Sequence, residues 1–181
     1  MSIWVIYGIV ATVGVLVIAG NVVDSILLWR RQVRKSLVWL VGRREAVSAA
    51  YRGLEAVFGA LGSDDPAVVS QFAIDPTSTH RKALEELQPR MAIEAEELQN
   101  VALPKRFWQA ADLLMSSAIK LRDEVGRINQ APTPEAVLDG VAAIDVPGIR
   151  AAIAAAGEEL DRQLRETGVD DSAVYGGGLY I

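Results

Sequence analysis

An uninterrupted stretch of 18 uncharged residues near the N-terminus, IWVIYGIVATVGVLVIAG at residues 3–20, constrains the fold of this chain most. As a helix rising 1.5 Å per residue it extends about 27 Å, close to the thickness of the hydrocarbon core of a bilayer. Trp4 and Tyr7 lie near its first end, and Trp29 lies beyond its second end. Aromatic residues at both ends are typical of membrane interfaces, so the sequence predicts a transmembrane anchor over residues 1–29.

The basic residues that follow this stretch predict its orientation. Arg30, Arg31, Arg34 and Lys35 come soon after it, and no basic residue precedes it. The positive-inside rule therefore predicts a single-pass protein of the cell membrane, with its N-terminus outside and its C-terminal body in the cytoplasm. A cleaved signal peptide is the alternative, but such peptides have a basic first region and a shorter apolar region of roughly 7 to 15 residues.

Charge is distributed unevenly along the chain, whose net charge is −5. Residues 26–60 hold seven basic and two acidic residues, whereas residues 61–181 hold 11 basic and 20 acidic residues. The first region predicts a basic juxtamembrane helix over residues 30–62, which joins the bundle and contacts anionic lipid of the inner leaflet. The acidic remainder argues against nucleic acid as a partner.

The rest of the chain has the apolar periodicity of helices and no alternating run typical of a strand. It predicts an all-α fold, in which an N-terminal transmembrane helix continues into an antiparallel bundle of about four long helices plus short ones. Residues 63–167 form the remainder of this bundle, and GVDDSAVYGGGLYI at 168–181 is predicted to be a flexible tail because three consecutive glycines disfavour a helix. The clearest buried seams are Phe107, Ala111, Leu114, Ala118, Leu121, Val125 and Ile128, and then Ile149, Ile153, Ala156, Leu160 and Leu164.

Two local features depart from the regular apolar periodicity of the helices. Pro89 is expected to kink or interrupt the second long helix, because proline lacks the backbone N–H that a helix interior uses. Residues 36–42 are apolar nearly all round. That turn either lies against lipid headgroups or a partner, or is covered by the other helices.

Asn21 and Asp24 are polar residues near the inner end of the predicted anchor. Such residues are costly at membrane depth and usually face a partner helix or water. The two lie on one helix face, where they are candidates for contact with a neighbouring span. The alternative is that Asp24 reaches the headgroup level, close to Arg30 or Arg31.

The last residues, Leu179, Tyr180 and Ile181, are a second candidate for partner contact. A terminal carboxylate with apolar residues at the last and third-last positions is the pattern by which a tail adds a strand to the edge of a receptor sheet. Apolar residues also end many tails by chance, so this role is a hypothesis.

Few residues suited to catalysis are present. The chain has no cysteine and one histidine, His80, which excludes a thiolate nucleophile, Cys-based metal sites and sites that need two imidazoles from one chain. The numerous carboxylates lack the inward-facing Glu-x-x-His pairs of dinuclear metal bundles, and a solvated helix face explains them more simply. We therefore expect no enzyme, no cofactor and no metal.

The segment WLVGRREAVSAAYRGLEAVFGA, residues 39–60, resembles the first soluble helix of the LemA family. In that family a pair of arginines precedes an amphipathic stretch that ends in a Gly-aromatic turn. The corresponding residues here are Arg43 and Arg44 and, in reversed order, Phe58 and Gly59. The resemblance implies a membrane-anchored helical protein with its N-terminus outside and its bundle in the cytosol, and it implies no reaction.

Two functional interpretations follow. The first is a non-enzymatic protein whose membrane-anchored cytoplasmic bundle acts as an interaction or scaffold module for membrane or cytoplasmic proteins, with oligomer formation left open. The alternative is an accessory subunit of a larger membrane complex, such as a transporter, secretion or respiratory assembly, which would contact a neighbouring span through Asn21 and Asp24.

Overall fold

The computed structural model describes residues 3–62 and 66–168, with side chains from residue 19 onward. Its regular structure within these residues is helical throughout, which confirms the all-α prediction. The helices are α1 (Ile3–Leu61), α2 (Pro66–Ile74), α3 (Thr79–Asn100), α4 (Trp108–Asn129), α5 (Pro134–Ala142) and α6 (Val146–Thr167), with a 3₁₀ turn at Lys105–Phe107. The chain divides into two compact units, an N-terminal unit (Met1–Ser36) and a bundle unit (Leu37–Ile181).

In the bundle unit, four helices pack in the cyclic order α1, α3, α4 and α6, and each is antiparallel to its neighbours. Early residues of one helix contact late residues of the next, as in an up-down-up-down bundle. The contacts are Arg43 to Glu94 and Gly53 to Leu87, then Arg81 to Ile128, then Arg106 to Gln163 and Lys120 to Asp145, and finally Arg44 to Gly157 and Glu55 to Arg150.

The predicted seams of the last two long helices form much of the core. All seven predicted positions from Phe107 to Ile128 are buried, and so are all five from Ile149 to Leu164. The apolar positions recur every three to four residues, so they fall on one face of each helix and meet in the centre of the bundle.

The short helices α2 and α5 cover the end of the bundle at which α3 begins and α4 ends. Phe72 of α2 and Val137 of α5 are both buried there. Gly140 comes so close to Ile128 that an added Cβ would lie 3.3 Å from the Ile128 side chain. Glycine at this position therefore allows α5 to pack closely on α4.

Capping residues that are readable in the sequence begin three of the helices. Ser78 caps α3, Thr133 caps α5, and Asp145 caps α6, where its Oδ1 accepts a hydrogen bond of 2.9 Å from the Gly148 N–H. Each side-chain oxygen satisfies a backbone donor that the first helical turn leaves unpaired.

Pro89 does not interrupt its helix, since α3 runs unbroken from Thr79 to Asn100. Pro89 and Glu85 are both exposed. The carbonyl of Glu85, which the missing N–H would have bonded, therefore lies on the solvent side, where water can replace the lost hydrogen bond.

The apolar turn at residues 36–42 is only partly covered. Leu37, Leu40 and Val41 are buried, whereas Val38 and Trp39 keep intermediate exposure. The other helices therefore cover only one side of this turn.

Among the described residues, no helix is both long and apolar enough to cross a membrane. The side chains of residues 1–18, which make up most of the predicted anchor and include Trp4 and Tyr7, lie outside the described residues. The predicted tail after Gly168, with Leu179, Tyr180 and Ile181, lies outside them as well.

Candidate functional site

The described part of the N-terminal unit exposes an apolar segment, which we define as residues 22–29. A soluble helix normally buries its large apolar residues along one stripe. Here the large apolar side chains are each about half exposed or more, and at about 100° per residue they surround the helix without a gap wider than about 100°. They are Val22, Val23, Ile26, Leu27, Leu28 and Trp29. A continuous apolar surface of this kind is typical of a segment that another phase or another protein covers.

Asn21 and Asp24 lie on this exposed helix together with Ser25. At about 100° per residue, the three side chains fall within an arc of about 100°, and we call them the polar stripe. Asn21 and Ser25 also line a shallow surface depression with Ile26 and Trp29. Ser25 was missed from the sequence, although its spacing of four residues from Asn21 places it on the same face.

The arrangement does not pair Asp24 with the arginines that follow it. Neither Arg30 nor Arg31 forms an ion pair with Asp24 within the described residues. Arg30 is six residues further along α1, about 9 Å of helical rise, and Leu28 occupies the i+4 position where a basic partner would reach the carboxylate. Among the described residues of α1, Asp24 therefore has no neutralising partner.

Four exposed cations form a basic face directly after the apolar segment: Arg30, Arg31, Arg34 and Lys35. They fall within an arc of about 140° around the helix. No ion pair within the described residues involves any of them. Within the part of the chain that the structure describes, their positive charge is therefore not compensated and is available to an anionic surface.

The arginine pair of the bundle, Arg43 and Arg44, has a structural role. The Arg43 Nη1 donates to Glu94 at 3.2 Å and also to Glu97, and its guanidinium lies 5.3 Å from the centre of the Trp39 ring. These contacts join α1 to α3 and position the half-exposed Trp39.

Arg44 faces the other neighbour of α1. Its guanidinium occupies the space above Gly157 of α6, where an added Cβ would lie 2.9 Å from the Arg44 Cζ. Its Nε is buried without a hydrogen-bond partner among the described residues. Glycine at position 157 thus makes room for a large polar side chain between two helices.

The carboxylates of the bundle mostly serve ion pairs and caps. Arg162 donates hydrogen bonds of 3.0 and 2.6 Å to Glu159 and lowers the pKa of that carboxyl group. Burial raises the pKa of Tyr51, and its hydrogen bond of 2.7 Å to Glu55 contributes in the same direction. No group of three His, Asp or Glu side chains that could hold a metal occurs among the described residues.

His80 lies in the first turn of α3 with intermediate exposure.

No family model, curated protein or solved structure matches this chain. The geometry of its surfaces is therefore the basis for any functional conclusion.

Proposed function

We propose that this chain is a single-pass membrane protein whose cytoplasmic helical bundle acts as an interaction or scaffold module. The observation that carries the proposal is the exposed apolar segment 22–29, which directly continues the uncharged residues 3–20 and is followed by the basic face. Apolar side chains all round a helix favour lipid as their surroundings, and uncompensated cations beside them favour the anionic inner leaflet. The resemblance of residues 39–60 to the LemA family is in keeping with this layout and stays a prediction.

Membrane extraction tests the anchor. The full chain should stay in the membrane pellet after alkaline carbonate treatment, which releases peripheral proteins. A variant with Leu27→Asp and Leu28→Asp should be lost from the pellet, because two carboxylates near the inner end of the span add several kcal/mol of insertion cost. A matched variant with two exposed bundle residues changed, Glu96→Asp and Glu158→Asp, should stay. Release of the unmodified chain by carbonate would overturn the proposal.

Cysteine labelling tests the orientation, since the natural chain contains no cysteine to interfere. In intact cells a membrane-impermeant maleimide should label Ser2→Cys. Asp139→Cys, at an exposed position of α5, should be labelled only after the cells are broken open. The reverse pattern would contradict the proposed cytoplasmic location of the bundle.

Identification of crosslinked proteins tests the scaffold role. Crosslinking in intact membranes, followed by mass spectrometry, should yield the same proteins from repeated preparations, joined to exposed residues of the bundle. A chain that crosslinks to no protein and sediments as a lone monomer in detergent would contradict it.

The second candidate is an accessory subunit of a larger membrane complex, and the polar stripe favours it. Asp24 has no basic partner on its own helix, and an unpaired carboxylate near the membrane costs free energy that a neighbouring span could recover through a hydrogen bond. Asp24→Leu should then abolish assembly on native gels, whereas Val23→Leu, on a different face of the helix, should preserve it. Unchanged assembly and localisation of Asp24→Leu would favour the autonomous module.

A further inference from the structure

The connection between α3 and α4 exposes an aromatic residue, Trp108, beside the exposed cation of Lys105. Trp108 is 58 % exposed, and within residues 37–62 and 66–168 it is the only aromatic side chain in the exposed class. It follows Phe107, which is completely buried and fixes the loop to the core. We define the α3–α4 loop as residues 101–108.

The indole ring of Trp108 is held in a defined orientation. Its Nε1 donates a hydrogen bond of 3.0 Å to the Leu103 carbonyl, and the Lys105 ammonium lies 5.9 Å from the ring centre. Lys105 is exposed and takes part in no ion pair within the described residues. A tryptophan whose polar edge is satisfied, next to a lysine, is the pairing that membrane interfaces favour, because the ring enters the headgroup region while the ammonium stays hydrated.

The surroundings of Trp108 are apolar on one side and carry little net charge. Leu98, Val101, Leu103 and Met115 line an open groove beside the indole, together with Asp112 as the charged member. The other cation of the loop, Arg106, is engaged by Gln163 and Glu166 of α6. Lys105 is thus the cation that this surface offers to an anionic ligand, with Asp112 opposing it.

Chain connectivity restricts what this surface can reach. The α3–α4 loop lies at the end of the bundle where α1 enters at Leu37, because Arg43 already contacts Glu94 and Glu97 near the end of α3. Leu37 follows Leu28, near the inner end of the proposed span, by nine positions, so the chain between them extends at most about 32 Å. Within the bundle, the opposite end lies about 33 Å from the end at Leu37, the length of a 22-residue helix such as α4.

We propose that the α3–α4 loop docks on the anionic membrane surface, with Trp108 in the headgroup region and Lys105 at the lipid phosphates. This contact holds the bundle against the membrane at a second point. The inference rests on the proposed function, since it requires the chain to be anchored in the membrane.

Fluorescence quenching by lipid tests this contact in the full-length chain. The label is an environment-sensitive fluorophore on Gln109→Cys, which is exposed beside Trp108, or on Asp139→Cys at the opposite end of the bundle. The chain is reconstituted into vesicles of equal parts phosphatidylcholine and phosphatidylglycerol that contain a headgroup spin-labelled lipid. Vesicles of phosphatidylcholine alone are the reference.

The label at position 109 should be quenched in the mixed vesicles and less so in phosphatidylcholine, whereas the label at 139 should be quenched in neither. Trp108→Ala should abolish the quenching, and Ile93→Ala, which removes an equally exposed apolar side chain from α3, should not. Lys105→Gln should lower the ratio of docked to undocked bundle about fivefold, since a basic residue close to an anionic surface contributes about that factor.

Three results would overturn the docking contact: no quenching at 109, equal quenching at 109 and 139, or quenching that survives Trp108→Ala. The far-UV circular dichroism of each variant shows whether its helices are retained, and Lys105→Gln, a surface change, provides the readout if Trp108→Ala does not fold. Failure of the anchor itself is distinguishable, because the chain would then not float with the vesicles. A chain that floats with an unquenched label refutes the docking contact alone.

Discussion

Arg81 provides the most informative stability test of the bundle. It lies in the first turn of α3 with 9 % of its surface exposed, although its neighbours His80 and Lys82 are more accessible. Its Nη1 donates a hydrogen bond of 3.0 Å to the carbonyl of Ile128 in the last turn of α4, and its guanidinium lies 5.6 Å from the ring centre of Phe72 in α2. One side chain thus joins three helices, and burial lowers the pKa of the guanidinium from its ordinary value.

The change Arg81→Met keeps the length of the aliphatic stem and removes the charge. A hydrogen bond from a charged donor contributes about 1.5 to 3 kcal/mol, and the ring contact with Phe72 about 0.5 to 1 kcal/mol. Methionine recovers part of this lost free energy, because a buried guanidinium is costly to desolvate and a thioether is not. We expect the free energy of unfolding to fall by about 2 kcal/mol.

The measurement is thermal unfolding of the full chain in detergent, followed by far-UV circular dichroism. For a chain of this size, about 2 kcal/mol corresponds to a Tm lower by roughly 4 to 8 °C. Lys82→Met is the matched control, since Lys82 is exposed, and its Tm should change by no more than about 2 °C. A Tm for Arg81→Met equal to or above that of the natural chain would refute the reasoning, because it would mean that the burial cost of the charge exceeds the value of its contacts.

Further predictions concern a glycine, a cap and the core, all measurable by the same unfolding experiment. Gly157→Ala should raise the free energy of unfolding by about 1 kcal/mol in an Arg44→Ala background, because alanine has the better helix propensity. In the natural chain the gain should be clearly smaller, because the new methyl group displaces the Arg44 guanidinium. Equal gains in both backgrounds would contradict the close contact between Arg44 and Gly157. The hydrogen bond from Lys120 lowers the pKa of Asp145 in the folded state, so this carboxylate stabilises the fold above its ordinary pKa, and that stabilisation is lost as the pH falls through the lowered value. Asp145→Ala should therefore be less stable than the natural chain at neutral pH, with the difference vanishing in strong acid; a constant difference would refute the titration. Phe107→Ala should lower the free energy of unfolding by about 3 to 5 kcal/mol, because the ring is completely buried. A loss below about 1 kcal/mol would show that the surrounding residues collapse into the cavity.

The predictions that held concern properties contained within one segment. The period of apolar residues in α4 and α6 is local, so their buried faces could be read without knowing what covers them. The N-terminal caps at Thr133 and Asp145 are local in the same sense, because each joins atoms within three residues of each other.

The contacts that sequence analysis missed depend on the choice of neighbouring helix. Arg81 bonds a carbonyl 47 residues away, and Arg43 bonds Glu94 across 51 residues. Nothing in the local pattern distinguishes these arginines from solvated ones such as Arg90, since a surface position and a buried charge-assisted contact have the same sequence signature. Trp108 was readable in part, because it follows the seam residue Phe107 by one position and therefore points away from the core.

The N-terminal and bundle units follow opposite rules for apolar residues, and this contrast bears on Asp24. In the bundle, most large apolar side chains are buried, and Ile74, Ile93, Trp108 and Leu138 are the exposed ones among the described residues, so its stability comes from its own packing. Residues 22–29 expose their apolar side chains all round the helix. A carboxylate in water costs such a segment nothing, whereas in lipid Asp24 costs free energy that only a partner or the headgroup region recovers. The charge-neutral variant Asp24→Asn separates these cases: it should preserve a hydrogen bond to a neighbouring span, while Asp24→Leu should lose it. Unchanged assembly of both variants would place Asp24 at the headgroups.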